Sequence, residues 1–370
     1  MKVLHILNAL EHSGAEVELQ LAYDRFKSSG IESHILSTGE QVGDYAIVLE
    51  RTGYIIHHIP FRKNIRFLIN IIKLFKTEKF TAVHIHCERV FIWYVLMAKL
   101  AGVQTVVRTF HNVFIFSSYL RWKKQIHRKV SRGFFGTVHT AVSDSVLAIE
   151  KERFQNDCIL NRNWTDVDKF RPSSGKERAQ ARHLYHLKPD DFVIVTIGKC
   201  TSIKNHLAIF SAVKKANDIL ERKKRVVLHV GTGPMISDEE IYVRQHHIEQ
   251  YCQFIGTLND VRPCLYAADA FVMTSRWEGL PIAAVEAMST GLPTILYNVY
   301  GLRDLLQGTE AGLLIEPNED CLVESLLLMI RSPELCKVKA QEARKHILRT
   351  YSLGDSVERF IHFYTNGSCQ

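Results

Sequence analysis

The first thing missing from this sequence of 370 residues is an apolar run long enough to cross a bilayer, which takes roughly 18–20 uncharged positions. The cysteines at 87, 158, 200, 252, 264, 321, 336 and 369 are scattered, with no C-x-x-C pair and no zinc-finger spacing. That excludes a disulfide framework and leaves eight reduced thiols, most of them filling core space, as in a cytoplasmic protein. No metal site is legible. The Gly-rich "LHVGTGP" (228–234) falls short of G-x-G-x-x-G and has no suitably placed acid, which argues against an NAD oxidoreductase. There is no low-complexity tract, no short-period repeat and no basic array interleaved with aromatics, so no nucleic-acid partner is expected. The opening "MKVLHILNAL" has one Lys and no small-residue cleavage site after its short apolar run. A first strand rather than a signal peptide is expected there.

What is present has the composition of a soluble globular chain, 46% hydrophobic and 23% charged, with length enough for two cores. Short β-branched runs ("KVLHIL", "ESHIL", "IIHHI", "AVHIHC", "TVVRTF", "TVHTAVS") alternate with stretches such as "AEVELQLAYDRFKSSG" and "NIRFLINIIKLFKTEKF", whose apolar positions lie three and four apart. The second half repeats the pattern with "FVIVTIG", "RVVLHVG", "QFIG", "AFVMTS", "PTILYN" and "GLLIEP". Strands alternating with crossover helices imply parallel sheets covered on both faces. Two such series, with the polar connector "DKFRPSSGKERAQ" between them, predict two doubly wound α/β domains over 1–172 and 173–351. The net charge of +8 lies wholly in the first: residues 1–172 hold 24 Lys/Arg and 16 Asp/Glu, whereas the remainder holds 23 of each. An anionic surface or substrate is therefore expected to meet the first half.

In parallel sheets ligands sit beyond the carboxyl ends of the strands, which directs attention to the loops there. After "AFVMTS" comes "RWEGLPIAAVEAMSTGLP". Leu280 precedes a proline and should be extended, Pro281 suits a first helical position, and Gly291 suits the residue past the end. The helix is expected over about Pro281–Thr290, with Glu278 in the loop above it and Glu286 inside it among Ala283, Ala284, Val285, Ala287 and Met288. A buried carboxylate costs several kcal/mol unless hydrogen-bonded or paired. A backbone donor in a neighbouring loop could satisfy it; so could paired hydroxyls such as those of a ribose. Gly279 and the helix N-terminus add amides suited to a phosphate or sugar hydroxyl. Together these suit a nucleotide-sugar.

With "EGLPIAAVE" continuing into "AMSTGLP", the sequence resembles glycosyltransferase family 4, retaining enzymes with the GT-B fold of two Rossmann-like domains facing a cleft. The resemblance spans nearly the whole chain and is strongest over 193–296. It implies that Glu278 holds hydroxyls of the donor sugar, that Glu286 holds the ribose, and that Gly279 and Leu280 line the donor. In "VTIGKCTSIKNH", Lys204 matches the family's Lys, while Lys199 stands where the family has Arg. Both are expected to neutralise the departing diphosphate, Lys199 without bidentate geometry. "NALEHSGAE" keeps the second Gly of the family's pair as Gly14, where backbone amides could approach phosphate or simply form a turn, and Ser13 before it is expected on the acceptor side. A lone His is ordinarily structural, but His111 of "VRTFHN" matches the family's F-H motif and is expected to face the donor sugar. Ser143 of "AVSDS" is expected on the acceptor side, and "FIGTLND" near the nucleobase. His84 and His86 are read as packing or acceptor-side structure. The "DVD" of Asp166 and Asp168 falls where the family has its interdomain connector and is read as structural. The C-terminal helix, 352–370, is expected to complete the first domain.

Two basic stretches, "FRKNIRFLINIIKLFKTEKF" and "SYLRWKKQIHRKVSRGFF", combine Lys/Arg with large apolar residues. The first reads as a crossover helix packed through Phe67, Leu68, Ile71, Ile72 and Phe75. The second reads as a candidate surface for an anionic membrane, its six basic residues leaving little apolar face beyond Trp122, Ile126 and Val130. The expected activity is retaining transfer of a hexose from a UDP- or GDP-sugar to a hydroxyl of a glycan or lipid-linked glycan in surface polysaccharide synthesis. It would need no cofactor and no metal and take place in the cytoplasm, at the membrane face if the basic half docks there. An epimerase of the same fold, or a non-catalytic sugar-nucleotide binder, would carry the same donor residues.

Overall fold

The computed structural model describes residues 1–220 and 225–367. Cys369 and the end of the expected 352–370 helix lie outside them. Contacts divide the chain into two units, one formed by Met1–Trp164 together with the segment from Leu353 on, the other by Thr165–Ser352.

The first unit holds strands β1 (Lys2–Leu7), β2 (Glu32–Ser37), β3 (Ile55–His58), β4 (Ala82–Ile85), β5 (Thr105–Phe110), β6 (Val138–Ala141) and β7 (Ile159–Leu160). They form one sheet in the order β3-β2-β1-β4-β5-β6-β7, and every pairing is parallel. Between them run α1 (Gly14–Ser28), α2 (Ala46–Thr52), α3 (Ile65–Glu78), α4 (Phe91–Leu100), α5 (Ser118–Gly133) and α6 (Asp144–Phe154). β1 and β5 are buried on both faces along nearly their whole length, His5 and Arg108 included. α3 packs through Phe67, Ile71 and Phe75, and the Asn64 side chain caps its start by accepting from the Phe67 amide at 2.9 Å.

The second unit holds α7 (Gly175–Leu184), β8 (Phe192–Ile197), α8 (His206–Ile219), β9 (Arg225–Val230), α9 (Ile236–Gln245), β10 (Cys252–Gly256), α10 (Arg262–Ala267) and β11 (Ala270–Met273). It continues with α11 (Ile282–Ser289), β12 (Thr294–Tyr297), α12 (Arg303–Leu306), β13 (Gly312–Ile315), α13 (Glu319–Arg331) and α14 (Pro333–Thr350). Its sheet is also all parallel, ordered β10-β9-β8-β11-β12-β13. α15 (Leu353–Asn366) returns to the first unit, where Val357, Phe360, Phe363 and Tyr364 join the core of Leu19, Ala22 and Phe26 from α1.

Two local expectations need amending. The stretch read as a polar connector contains the start of α7, which opens with a capping box between Ser174 and Glu177. The short β7 carried too few residues to show a strand pattern.

Helix α5 is inverted. Its buried residues are Arg128 and Ser131, while Tyr119 (75% exposed), Trp122 (60%), Ile126 and Val130 share an outward stripe that continues into Phe134 (81%). The inward face is polar because Arg128 donates to Glu150 at 2.6 and 2.8 Å and to Glu88 at 3.2 Å. Arg108 and Lys124 also pair with Glu88, so the buried charges are compensated.

Candidate active site

In the second unit β8 and β11 are neighbours although the chain visits β9 and β10 between them. At such a reversal the loops leaving the two strands diverge, and side chains they carry can meet. They do: Lys204 Nζ lies 2.6 Å from Glu278 Oε1, both largely shielded from solvent. The loops are stitched by backbone and side-chain bonds. The Arg276 amide donates to Ile203 O at 2.8 Å, Thr274 Oγ1 donates to Asn205 O at 2.9 Å, and Asn205 Nδ2 donates to Thr274 O at 3.2 Å.

Two glycines allow this. Gly301 has φ +79, and a Cβ there would stand 2.4 Å from the Glu278 carbonyl oxygen. Gly231, at φ +142, would bring a Cβ to 2.0 Å from the Gly198 carbonyl at the root of the lysine loop. No other residue fits either position without moving backbone. Lys199 is exposed in the same loop.

α11 is one residue shorter at each end than expected, with Pro281 as its N-cap and Gly291 in the left-handed conformation just beyond it. It is buried almost all round, Glu286 included at 6% exposure. Among the described residues the Glu286 carboxylate has no hydrogen-bond partner. Burial pushes it up to about 8; Lys169 pulls the other way and Asp260 adds to the rise. The backbone-donor alternative therefore does not hold here. Gly279 and Leu280, both buried, connect Glu278 to this helix.

In the first unit His111 follows β5. Its Nε2 lies 2.9 Å from His86 Nδ1, and His86 Nε2 lies 3.1 Å from His5 Nδ1. Burial drives His5 to about 3, and burial with the charge of Arg108 drives His111 to about 3, so the chain of imidazoles stays neutral. One hydrogen per neutral ring fixes their tautomers in a single direction along the chain. Because His86 takes up the Nε2 edge, Nδ1 is the edge of His111 left to meet a ligand. His84 is spent inside the core, 2.6 Å from Tyr364 Oη and 2.6 Å from Thr109 Oγ1.

Ser13 is the N-cap of α1 and Gly14 its first residue. The Ser13 hydroxyl donates to the buried carboxyl of Glu16, which burial pushes up to about 7. Ser143 is buried at the N-cap of α6, where its Oγ accepts from the Val146 amide at 3.3 Å. The Asp166 carboxylate accepts from the amides of Asp168 (3.0 Å) and Lys169 (2.9 Å), which makes "DVD" a turn.

Sequence reasoning missed Lys169 and Asp260 as the charges facing Glu286, and His86 as the anchor of His111. No local pattern marks residues that meet only through the sheet.

Two family models match the chain, "Glycosyltransferase Family 4" over residues 12–157 and "Glycosyl transferases group 1" over 178–346. A UDP-Gal:alpha-D-GlcNAc-diphosphoundecaprenol alpha-1,3-galactosyltransferase of Escherichia coli is 29% identical over 315 residues, covering 83% of this chain and 81% of its own. A glycosyltransferase from Rickettsia africae superposes with a TM-score of 0.83 at 19% identity, covering 98% of this chain and 97% of its own. HepE of Anabaena, solved in complex with UDP-glucose, gives 0.83 at 14% identity over 98% of each chain.

Proposed function

The chain belongs to glycosyltransferase family 4 and is a glycosyltransferase of GT-B fold, and from that premise we propose that it moves a hexose from a UDP-sugar to a hydroxyl of a lipid-diphosphate-linked glycan, with retention of anomeric configuration. The Glu286 carboxylate carries this reading. It is a buried acceptor with no donor of its own, and a ribose diol supplies two. The uracil base and the lipid-linked acceptor are taken from the name of the Escherichia coli relative.

In this reading the donor's diphosphate lies against Lys199, Lys204 and the N-terminus of α11, which hold the charge that develops as it leaves. Glu278 accepts from sugar hydroxyls and tethers Lys204 between turnovers. His111, neutral, offers a hydrogen bond and no charge. No divalent ion is needed for the chemistry.

Calorimetry with UDP-, GDP-, ADP- and CMP-sugars is expected to show binding of the UDP series. UDP release from UDP-galactose should then require an acetylglucosaminyl-diphospho-lipid acceptor and no added divalent ion, and NMR of the product should show the donor's anomeric configuration. Conversion of the donor to a second free nucleotide-sugar without acceptor, or binding without turnover on any glycan acceptor, would overturn the proposal.

The acceptor's lipid calls for a membrane surface, and the outward stripe of α5 fits one. Tyr119, Trp122 and Phe134 face solvent, with Arg121, Lys123, Lys129 and Arg132 alongside. Trp122→Ser with Phe134→Ser is expected to lower retention on vesicles containing anionic lipid by about tenfold or more while leaving UDP affinity unchanged. Equal retention of variant and parent would remove α5 from the interface. No helix among the described residues is long and apolar enough to cross a membrane.

A further inference from the structure

Four buried side chains converge behind the lysine loop, in a part of the second unit that the donor reading does not use. They are Cys200 after β8, His206 at the start of α8, His229 in β9 and Glu239 in the first turn of α9. His206 Nδ1 lies 3.0 Å from Glu239 Oε1 and 3.0 Å from His229 Nε2. His229 Nε2 lies 3.2 Å from Glu239 Oε2 and 3.7 Å from Cys200 Sγ. One ligand atom from each of the four falls within 4.8 Å of all the others.

Hydrogen bonding does not account for this. An imidazole nitrogen has a single in-plane site, either a lone pair or an N–H. Yet His206 Nδ1 faces two partners and His229 Nε2 faces three. If both nitrogens carry hydrogens to reach the carboxylate, two N–H groups point at one another. If one does not, its lone pair faces an anionic oxygen. Glu239, 2% exposed, shows the conflict directly, since its Oε2 lies close to His229 yet makes no hydrogen bond.

A cation at the point of convergence resolves every contact at once. With bonds of about 2.0–2.3 Å, ligand atoms around a tetrahedral ion stand about 3.3–3.6 Å apart, and the observed separations bracket that span. One thiolate, two imidazoles and one carboxylate form the mixed set that zinc accepts. Phe210 and Phe254 pack beside His229 and keep the surroundings apolar. We propose that Cys200, His206, His229 and Glu239 bind one Zn²⁺ in a closed, four-ligand structural site. Such an ion would cross-link β8, α8, β9 and α9 and brace the loop carrying Lys199 and Lys204. The site is independent of which donor the enzyme uses.

The test uses the metal alone on the full chain. After removal of metal by a chelator and dialysis, the protein is expected to take up one equivalent of Zn²⁺, with a rise in Tm. One equivalent of Co²⁺ should give the visible ligand-field bands of a tetrahedral site and a thiolate charge-transfer band. Cys200→Ser is expected to keep the native circular dichroism, lose the charge-transfer band and bind Zn²⁺ about a hundredfold more weakly. Glu239→Gln should weaken binding while keeping the charge-transfer band, so a folding defect in one variant leaves the other and the parent's own cobalt spectrum to decide. No uptake by the folded parent, a cobalt complex without thiolate charge transfer, or unchanged affinity in both variants would overturn the assignment.

Discussion

Glu286→Ala is expected to weaken UDP-sugar binding by about a hundredfold or more, the effect of losing two hydrogen bonds to a charged acceptor at about 1.5 kcal/mol or more each, with about 1.4 kcal/mol per tenfold. The sharper expectation concerns pH. Buried and unpartnered, the carboxyl ionises near 8, so at pH 6 the ligand-free protein carries a proton there. Two donating hydroxyls favour the carboxylate, so binding releases that proton. Affinity should therefore climb as pH rises from 6 to 8 and level off above. Calorimetry in buffers of different ionisation enthalpy should count close to one proton released near pH 6–7. A UDP-sugar is the right probe, because its diphosphate does not titrate in that range. Glu286→Gln should bind with no such slope. The ligand-free stability has the opposite sign: with the folded value raised above 4.5, the folded chain holds a proton that the unfolded chain has released. Stability should then fall as pH rises from about 4.5 through 8, and the Gln variant should lack that decline. A parent whose affinity is flat from pH 6 to 8.5 would show that Glu286 is not the ribose acceptor.

Lys204→Ala is expected to lower kcat by about 10²–10³-fold, the range seen when one preorganised donor to developing charge is removed. The pairing with Glu278 gives this prediction its structure. At 2.6 Å the two side chains cancel one another in the ligand-free state, so the positive field of the loop then comes chiefly from Lys199 and the α11 terminus. Glu278→Gln should consequently leave free UDP affinity unchanged or raised, while kcat falls because the sugar loses an acceptor. Lys204→Ala should weaken UDP and also leave the Glu278 charge uncompensated, so a double-mutant cycle for the pair should give a coupling well above zero. Loss of less than about threefold in kcat for Lys204→Ala would mean that the leaving group is stabilised elsewhere.

How far the site was legible follows from how far each signal travels along the chain. Glu278 and Glu286 were readable because an apolar segment that keeps two acids conflicts with burial, and the conflict is visible within "EGLPIAAVE". Lys204 was readable from its place in a strand-end loop. Its partner was not: nothing near position 204 names Glu278, and the two meet because β8 lies beside β11. His111 was placed by its motif, but its neutrality comes from burial and its orientation from His86, which the sequence suggested as packing or acceptor-side structure. Helix α7 could have been found, since Ser174 and Glu177 stand at capping-box spacing inside the supposed connector. No metal site was read from the spacing, and spacing is blind to the convergence of Cys200, His206, His229 and Glu239, which stand at separate places along the chain.

By itself the sequence determined the alternation of strands and helices, the burial of both sheet faces and the identity of the strand-end residues. Side-chain periodicity and turn chemistry are properties of neighbours within a few positions, and they are written wherever those neighbours are. Only the tertiary structure decided which strand ends lie side by side, and so which lysine holds which glutamate and which histidine anchors which. It also decided where four ligand atoms converge. Those outcomes depend on sheet order, a long-range arrangement that sets contact between distant residues and leaves no mark on the spacing of either.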